Sequence, residues 1–444
     1  MNTPICDFVK KYANSKSLRL HMPGHKGKKL VGVESFDITE IDGADSLYSA
    51  NGIILKSQEN ASNLFCSHTF YSAEGSSLSI RAMIYTVIKY AKTFNLPTTI
   101  LAGRNAHSSF ISACAFSGAD IDWIYDNNNG YLTCNIDDKE LDKQLSKYET
   151  KPVAVYVTSP DYLGNLTDVE KLSKVCKAHG CLLLVDNAHG AYLKFLNRSL
   201  HPIDLGADMC TDSAHKTLPT LTGGAYLHVN KSANPFFKEN VSDALSLFGS
   251  TSPSYLILQS LDLTNKVLCN NFTDKLEKIA LKVKEFKQYL ISLGFNLLGV
   301  EPLKVCIKTK DYGYLGAEFA KLLKQNNIVV EFYDSDFVVL MFSTFTSIKT
   351  FRKIKKVFKF IPKKQKILST PPTFKLPKKI LNVYDAIIKP SILVNVDDAN
   401  GKIISNLSIS CPPAVPIIVS GELIDEDIIK VLKYHNITKC SVVL

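Results

Sequence analysis

Lys216 stands in the run Asp212-Ser213-Ala214-His215-Lys216-Thr217, with Gly223 and Gly224 a few residues on. About 30 residues earlier, Asp186 closes the apolar run 181–186 and is followed by Asn187-Ala188-His189-Gly190. A single lysine in a polar, glycine-flanked loop is ordinarily a surface cation, and a single aspartate after a strand is ordinarily a helix N-cap. Together they are the two groups that pyridoxal 5′-phosphate (PLP) requires. The amine forms a Schiff base with the cofactor. The buried carboxylate keeps the pyridine nitrogen protonated, so that the ring accepts electrons from the substrate Cα.

A phosphate needs amides and hydroxyls. Glu74-Gly75-Ser76-Ser77 opens a pattern of apolar residues at helical spacing (Ile80, Met83, Ile84, Val87, Ile88, Ala91). Gly75, Ser76 and Ser77 therefore lie where a helix N-terminus offers an anion site; alone, the same residues are plain capping. Ser213 and His215 add polar groups beside the lysine. His107 ends the run Arg104-Asn105-Ala106-His107, where an imidazole is placed to stack on a cofactor ring. His189 is placed to lie over the ring or to orient Asp186, and the sequence does not rank the two histidines.

Short apolar runs must position these groups. Residues 99–102, 153–158, 181–186 and 209–212 read as buried strands, and 77–91 and 168–179 as helices between them. Such alternation predicts an α/β fold with a mostly parallel sheet and helices on both faces. Ligands in such sheets collect beyond the carboxyl ends of strands. Arg104 to His107, Ser159-Pro160-Asp161-Tyr162, Asp186 to Gly190 and Asp212 to Thr217 all fall at those ends. Along the chain the expected division is a loop-rich arm at 1–60, a large PLP-binding domain at 61–272, a bridging helix at 273–294, and a C-terminal region at 295–444. That last region holds a smaller α/β unit at about 295–345 and a basic connecting stretch at 349–379. It ends in a unit with Cys411-Pro412-Pro413-Ala414-Val415-Pro416 leading into Gly421-Glu422.

Composition narrows the function classes. The 444 residues suffice for two or three domains, and 45% hydrophobic with 21% charged residues describes a globular chain. No apolar run is long enough to span a bilayer, and the first 20 residues lack the apolar core of a signal peptide, so a cytoplasmic enzyme is expected. The 11 cysteines include no C-x-x-C and read as small buried hydrophobes, with no metal site expected. The net charge of +10 comes from one place. Twelve lysines and arginines, and no acidic residue, lie between Phe337 and Tyr384. There Phe351, Ile354, Phe358 and Ile361 recur at helical spacing, which predicts an amphipathic helix with a solvated basic face. Nucleic acid and membrane partners are therefore not expected.

The combination HMPGHKG (21–27), DITEIDGADSL (37–47), EGSS (74–77), RNAH (104–107), VDNAHGAY (185–192), DSAHKTL (212–218), STSPSY (250–255) and the C-terminal PP-x-x-P with GE resembles the Orn/Lys/Arg decarboxylase family, in order and over nearly the whole chain. This family is a branch of the aspartate-aminotransferase-like PLP enzymes. The sequence resembles a short form without the extra N-terminal domain of the large acid-stress members. The resemblance implies Lys216 as the Schiff-base lysine, Asp186 at the pyridine nitrogen and His107 stacked on the ring. It places Gly75, Ser76, Ser77, Ser213 and His215 at the phosphate. It further implies a homodimer in which Ser250 and Thr251 reach the phosphate of the neighbouring subunit. The implied reaction is loss of CO2 from arginine, lysine or ornithine, giving agmatine or a diamine for polyamine biosynthesis. A cationic substrate needs an acidic reader, and Glu40, Asp42, Asp45 and Glu422 are the candidates. The chain departs from the family at Asn187, where glutamate is frequent, at Ser108, where lysine is frequent, and at Leu221-Thr222-Gly223-Gly224-Ala225, where many members are bulkier. Two alternatives stand beside this reading: another PLP reaction, such as transamination or elimination, and a polyanion-binding protein with a vestigial PLP site.

Overall fold

The computed structural model describes residues 1–124, 134–370, 372, 375–410 and 415–444, so Cys411-Pro412-Pro413-Ala414 of the C-terminal motif lie outside the described residues. Seven strands form the main sheet: β1 (Ser67–Ser72), β2 (Thr99–Gly103), β3 (Asp120–Ile124), β4 (Ala154–Thr158), β5 (Leu182–Asp186), β6 (Met209–Asp212) and β7 (Ala225–Asn230). Their order is β1-β7-β6-β5-β4-β2-β3. The sheet is mostly parallel, as in the β5–β6 pair, but β7 runs antiparallel to both β6 and β1. Central strands such as β5, with Leu183, Leu184 and Val185 all buried, are apolar on both faces because helices cover both.

The expected strands at 99–102, 153–158, 181–186 and 209–212 form to within a residue, and the helices expected at 77–91 and 168–179 are Gly75–Thr93 and Val169–Ala178. β1, β3 and β7 were not expected. β1 reads SHTFYS, polar by composition, yet Ser67, Thr69 and Ser72 are buried because β7 and neighbouring hydroxyls satisfy them.

By compactness the chain falls into two units, each discontinuous in sequence. One comprises residues 1–100, 142–157 and 169–273; the other comprises 101–141, 158–168 and 274–444. The division expected from sequence ran along the chain instead. A wound sheet groups segments by spatial neighbourhood, which sequence position does not report.

Within the second unit, the helix Phe272–Ser292 buries Leu276, Ile279, Val283, Phe286 and Leu290 at helical spacing. An antiparallel sheet follows, built from β8 (Leu297–Leu298), β9 (Lys304–Lys308), β10 (Phe332–Tyr333) and β11 (Phe337–Met341) in the order β10-β11-β9-β8. The helix Ile348–Lys359 buries Phe351, Ile354 and Phe358 and leaves Lys349, Arg352, Lys353, Lys356 and Lys359 in solvent. Its Phe358 packs edge-on against Phe286 and Phe295. At the C-terminus β12 (Ser391–Asn395) pairs with β15 (Lys439–Val443), and β13 (Ser408–Ser410) with β14 (Pro416–Val419). Among the described residues no helix is long and apolar enough to cross a membrane, and the ten described cysteines are free thiols.

Candidate active site

β6 ends at Asp212, and one helical turn, Ala214–Thr217, follows it with Ser213 at the N-cap position. The turn brings Lys216 to an exposed position, where its Nζ lies 3.1 Å from His189 Nε2. A lysine ammonium has only donors, so Nε2 accepts whenever Lys216 is charged. The turn is fixed from behind. The Lys216 amide donates to the Ser213 carbonyl at 3.0 Å. His215 donates to the Gly224 carbonyl from its backbone at 3.2 Å and from Nδ1 at 3.1 Å. Burial holds the His215 imidazole below its ordinary value, and the Lys216 charge acts in the same direction.

Asp186 is the last residue of β5 and is buried. Its Oδ1 accepts the Ala188 amide at 3.1 Å and its Oδ2 accepts the Tyr156 hydroxyl at 3.2 Å. Tyr156 lies on β4, the neighbouring strand, and sequence reasoning has no signal for it. Inside the apolar run Ala154-Val155-Tyr156-Val157 it reads as core, and only the order of strands puts it beside Asp186.

The anion loop shows why glycine is needed at two places. Gly75 has φ +73°, and a Cβ there would meet nothing within 4 Å, so the backbone demands glycine while the space in front of it stays open. Gly223 has φ +97°, and a Cβ there would sit 2.9 Å from the Ala73 carbonyl oxygen. The Gly75 amide donates to the Gly223 carbonyl at 2.6 Å, which ties the anion loop to the segment after Lys216. Ser213 Oγ donates to Ser76 Oγ at 2.7 Å. Gly75, Ser76 and Ser77 are half-buried at the start of the helix Gly75–Thr93. An open, glycine-floored helix N-terminus with hydroxyls, beside a lysine amine and a buried carboxylate, fits the phosphate, aldehyde and pyridine nitrogen of PLP. The Ser250 amide donates to Glu74 Oε1 at 2.6 Å, so that segment is tied to its own chain's loop, with Ser250 and Thr251 exposed.

Behind this surface lies a second buried carboxylate. Asp212 Oδ1 accepts Asn187 Nδ2 at 2.6 Å, and Oδ2 accepts His201 Nε2 at 3.1 Å and His228 Nε2 at 3.3 Å. His228 Nδ1 accepts from the Thr69 hydroxyl at 3.0 Å, which fixes its proton on Nε2. Burial opposes ionisation of Asp212, but the two imidazole donors outweigh it and hold the carboxyl well below the usual range. His201 Nε2, Cys210 Sγ and Asp212 Oδ2 lie within 4.8 Å of one another. The histidine–carboxylate hydrogen bonds account for that grouping.

Two of the acidic residues expected to read a cationic substrate, Asp45 and Glu422, are engaged by partners within the chain. Asp45 is buried. Its Oδ1 accepts the amides of Ser46 and Asn51, and its Oδ2 those of Gly52, Ile54 and Leu55. It caps the positive end of the helix Ile53–Phe65. Tyr255 clamps the Asp45 backbone, accepting its amide at 3.0 Å and donating to its carbonyl. In the other unit, Glu422 is buried against Arg104. Oε1 accepts Nη1 at 2.6 Å, Oε2 accepts Nη2 at 2.8 Å, and Oε2 also accepts the Val419 amide at 2.8 Å. Arg104 lies over Trp123 at 4.8 Å and donates Nε to the Pro416 carbonyl at 3.1 Å. The RNAH and SGE segments are thus joined by an ion pair. His107, in the same unit, is exposed at the N-cap of the helix Ser108–Ser117, where its Nδ1 accepts the Ser109 amide at 3.2 Å. Glu40 and Asp42 are exposed, and neither makes a hydrogen bond or ion pair among the described residues.

Residues 3–296 match the family described as Orn/Lys/Arg decarboxylase, major domain. The chain is 28% identical over 466 residues to the uncharacterized protein YaaO of Bacillus subtilis (strain 168), covering 97% of this chain and 94% of that one. It is 27% identical over 459 residues to an arginine decarboxylase of the same organism, covering 96% and 92%. Among solved structures it is similar in fold to the Francisella novicida lysine decarboxylase LdcF, with TM-score 0.77 and 18% identity over 100% of this chain and 81% of that one. Lysine decarboxylase A from Pseudomonas aeruginosa gives TM-score 0.81 and 15% identity over 99% and 80%.

Proposed function

The chain belongs to the Orn/Lys/Arg decarboxylase family, and on that premise we propose that it is a PLP-dependent decarboxylase of a basic L-amino acid, arginine ahead of lysine. The observation that carries this reading is the Lys216 amine 3.1 Å from His189, with Asp186 buried at the end of a strand beside β6. PLP supplies the electron sink that accepts the pair released when CO2 leaves Cα. The chain's own groups do the rest. Lys216 is the attachment point. Asp186, its plane set by Tyr156 and the Ala188 amide, holds a proton on the pyridine nitrogen. Gly75, Ser76, Ser77, Ser213 and His215 hold the phosphate. The Lys216–His189 pair holds a proton that one of them delivers to Cα in place of the departed CO2.

With Asp45 and Glu422 engaged, Glu40 and Asp42 remain, and we assign one of these two acids to the substrate's cationic end. A carboxylate–cation hydrogen bond contributes about 1.5–3 kcal/mol, so norleucine should react about 10–100-fold more slowly than lysine. We assign a homodimer as the working assembly. The irregular arm leaves Leu18 86%, Leu20 91%, Leu30 83% and Val31 88% exposed, apolar side chains that a second copy would cover. A fully active monomer in light scattering at assay concentration would contradict that assignment.

The test of the function is direct. The protein with added PLP should show a visible absorption band and release CO2 from arginine. In Lys216→Ala the band should vanish and activity fall by at least about 10³-fold. Borohydride should fix the cofactor on the peptide containing Lys216, and fixation on another lysine refutes the site. Equal rates on lysine and norleucine refute the basic substrate, and a keto acid product in place of CO2 and amine assigns the chain to transamination.

A further inference from the structure

In the register of the parallel pair, Asp186 of β5 lies opposite Thr211 of β6. Successive side chains on a strand point to opposite faces, so Asp212 projects from the face of the sheet away from Asp186. Asn187 continues the ladder one residue past β5, its amide donating to the Thr211 carbonyl at 2.9 Å. Its side chain then reaches the far face and donates to Asp212 at 2.6 Å. The carbonyl of Asn187 accepts the Gly190 amide at 2.8 Å, closing the turn that carries Ala188 and His189. Asn187 therefore joins three things: Asp186 before it, His189 after it, and Asp212, which immediately precedes Ser213 and the Lys216 turn.

The other oxygen of Asp212 is held by His201 and His228. His228 is anchored in turn by hydroxyls of Ser67 and Thr69 on β1, at 3.2 and 3.0 Å. His201 Nδ1 is buried and has no hydrogen-bond partner among the described residues, so a proton there would be an orphaned donor, and the ring carries its proton on Nε2. The carboxylate thus meets three N–H donors, from Asn187 just past β5, His201 in the segment before β6, and His228 on β7.

We propose that Asp212 is a positioning residue that sets the Asp186–Asn187 turn against the Ser213–Lys216 turn from the far face of the sheet, so that the proton-holding carboxylate and the attaching amine keep the separation one PLP ring requires. Asp212 itself touches neither cofactor nor substrate. The chain's departure from its family at position 187 gains a role here: asparagine supplies an N–H donor to this carboxylate, which a glutamate in that place would not. The proposal rests on the reading of this surface as a PLP site.

The experiment compares full-length wild type, Asn187→Ala and Asp212→Asn. It measures the PLP dissociation constant by absorbance titration, the visible circular dichroism per bound cofactor, and thermal unfolding. Removing one charged hydrogen bond from the coupling should weaken PLP binding about 10–100-fold in Asn187→Ala. The visible dichroism of the bound cofactor should fall, and kcat should drop more than KM rises. Asp212→Asn should move the same readouts further. If Asp212→Asn does not fold, Asn187→Ala decides alone, because it removes a single strut. Wild-type affinity and dichroism in Asn187→Ala, with only a lowered unfolding temperature, overturn the proposal. A wild-type chain that takes up no PLP overturns the cofactor reading first, and this inference with it.

Discussion

Arg104–Glu422 and Asp212 are both buried ionic sites, and they solve the cost of burial in different ways. Arg104 meets an opposite charge through two parallel hydrogen bonds, and the remaining donors and acceptors of both partners are taken by backbone groups and the Trp123 face. Charge cancels charge, and little field escapes. Asp212 meets only N–H groups, from an amide and two imidazoles. Burial opposes its charge, and the attraction and hydrogen bonds of the two imidazoles hold it ionised. Asp334 is a third case. Its Oδ1 accepts two backbone amides at 2.7 Å, while its Oδ2 is buried with no partner among the described residues. Burial raises its carboxyl to about 6. The lesson is that a bidentate ion pair clamps two segments together, a carboxylate ringed by N–H donors stays ionised when buried, and one with an unpartnered oxygen holds its proton to higher pH.

Three substitutions break or sharpen that comparison. The largest effect is expected from Arg104→Met, which leaves Glu422 buried and uncompensated and should lose about 3–5 kcal/mol in urea unfolding. Adding Glu422→Leu to it should recover much of the loss, whereas a double variant no better than the single one would show that Arg104 acts through packing on Trp123. Asp212→Asn should cost about 2–3 kcal/mol at pH 7, in the range of a charged hydrogen bond lost inside the protein. Because the folded carboxyl is depressed, its stabilisation is complete above the unfolded value of about 3.9 and disappears as pH falls below it. The gap between Asp212→Asn and wild type should therefore narrow on acidification. Asp334→Asn should behave with the opposite sign. A raised folded value costs the wild type stability as pH rises from about 4 through about 6. Relative to wild type the variant should thus gain about 1–2 kcal/mol between pH 4 and pH 8. A pH-independent difference would show that Asp334 takes up its proton in the folded chain as it does in the unfolded one.

How much of this was legible in the sequence divides along the same line. Lys216, Asp186 and Gly75 announce themselves because their chemistry is local: an amine, an acid at the end of an apolar run, a glycine before a helix. The parallel core strands were legible from apolar runs, and β1 was not, because a strand whose polar side chains bond to a neighbouring strand has no hydrophobic signature. Glu422 and Asp45 were misread for a related reason. An acidic residue in a non-periodic segment looks uncommitted until its partner is known, and the partners are 318 residues away in the case of Arg104 and backbone amides in the case of Asp45. Tyr156 and Asn187 acquire their meaning only from strand order.

The place of β7 has a consequence in time. It lies between β1 and β6, yet more than 150 residues separate the end of β1 at Ser72 from the start of β7 at Ala225. On the ribosome the anion loop after β1 emerges early and waits, its strand without a partner and the Gly75 amide without the Gly223 carbonyl. Pairings this distant in sequence are the slow ones. The Gly75 turn therefore gains its tie to Gly223 only after the lysine turn has also emerged, and closure of the central sheet around β7 is a late event.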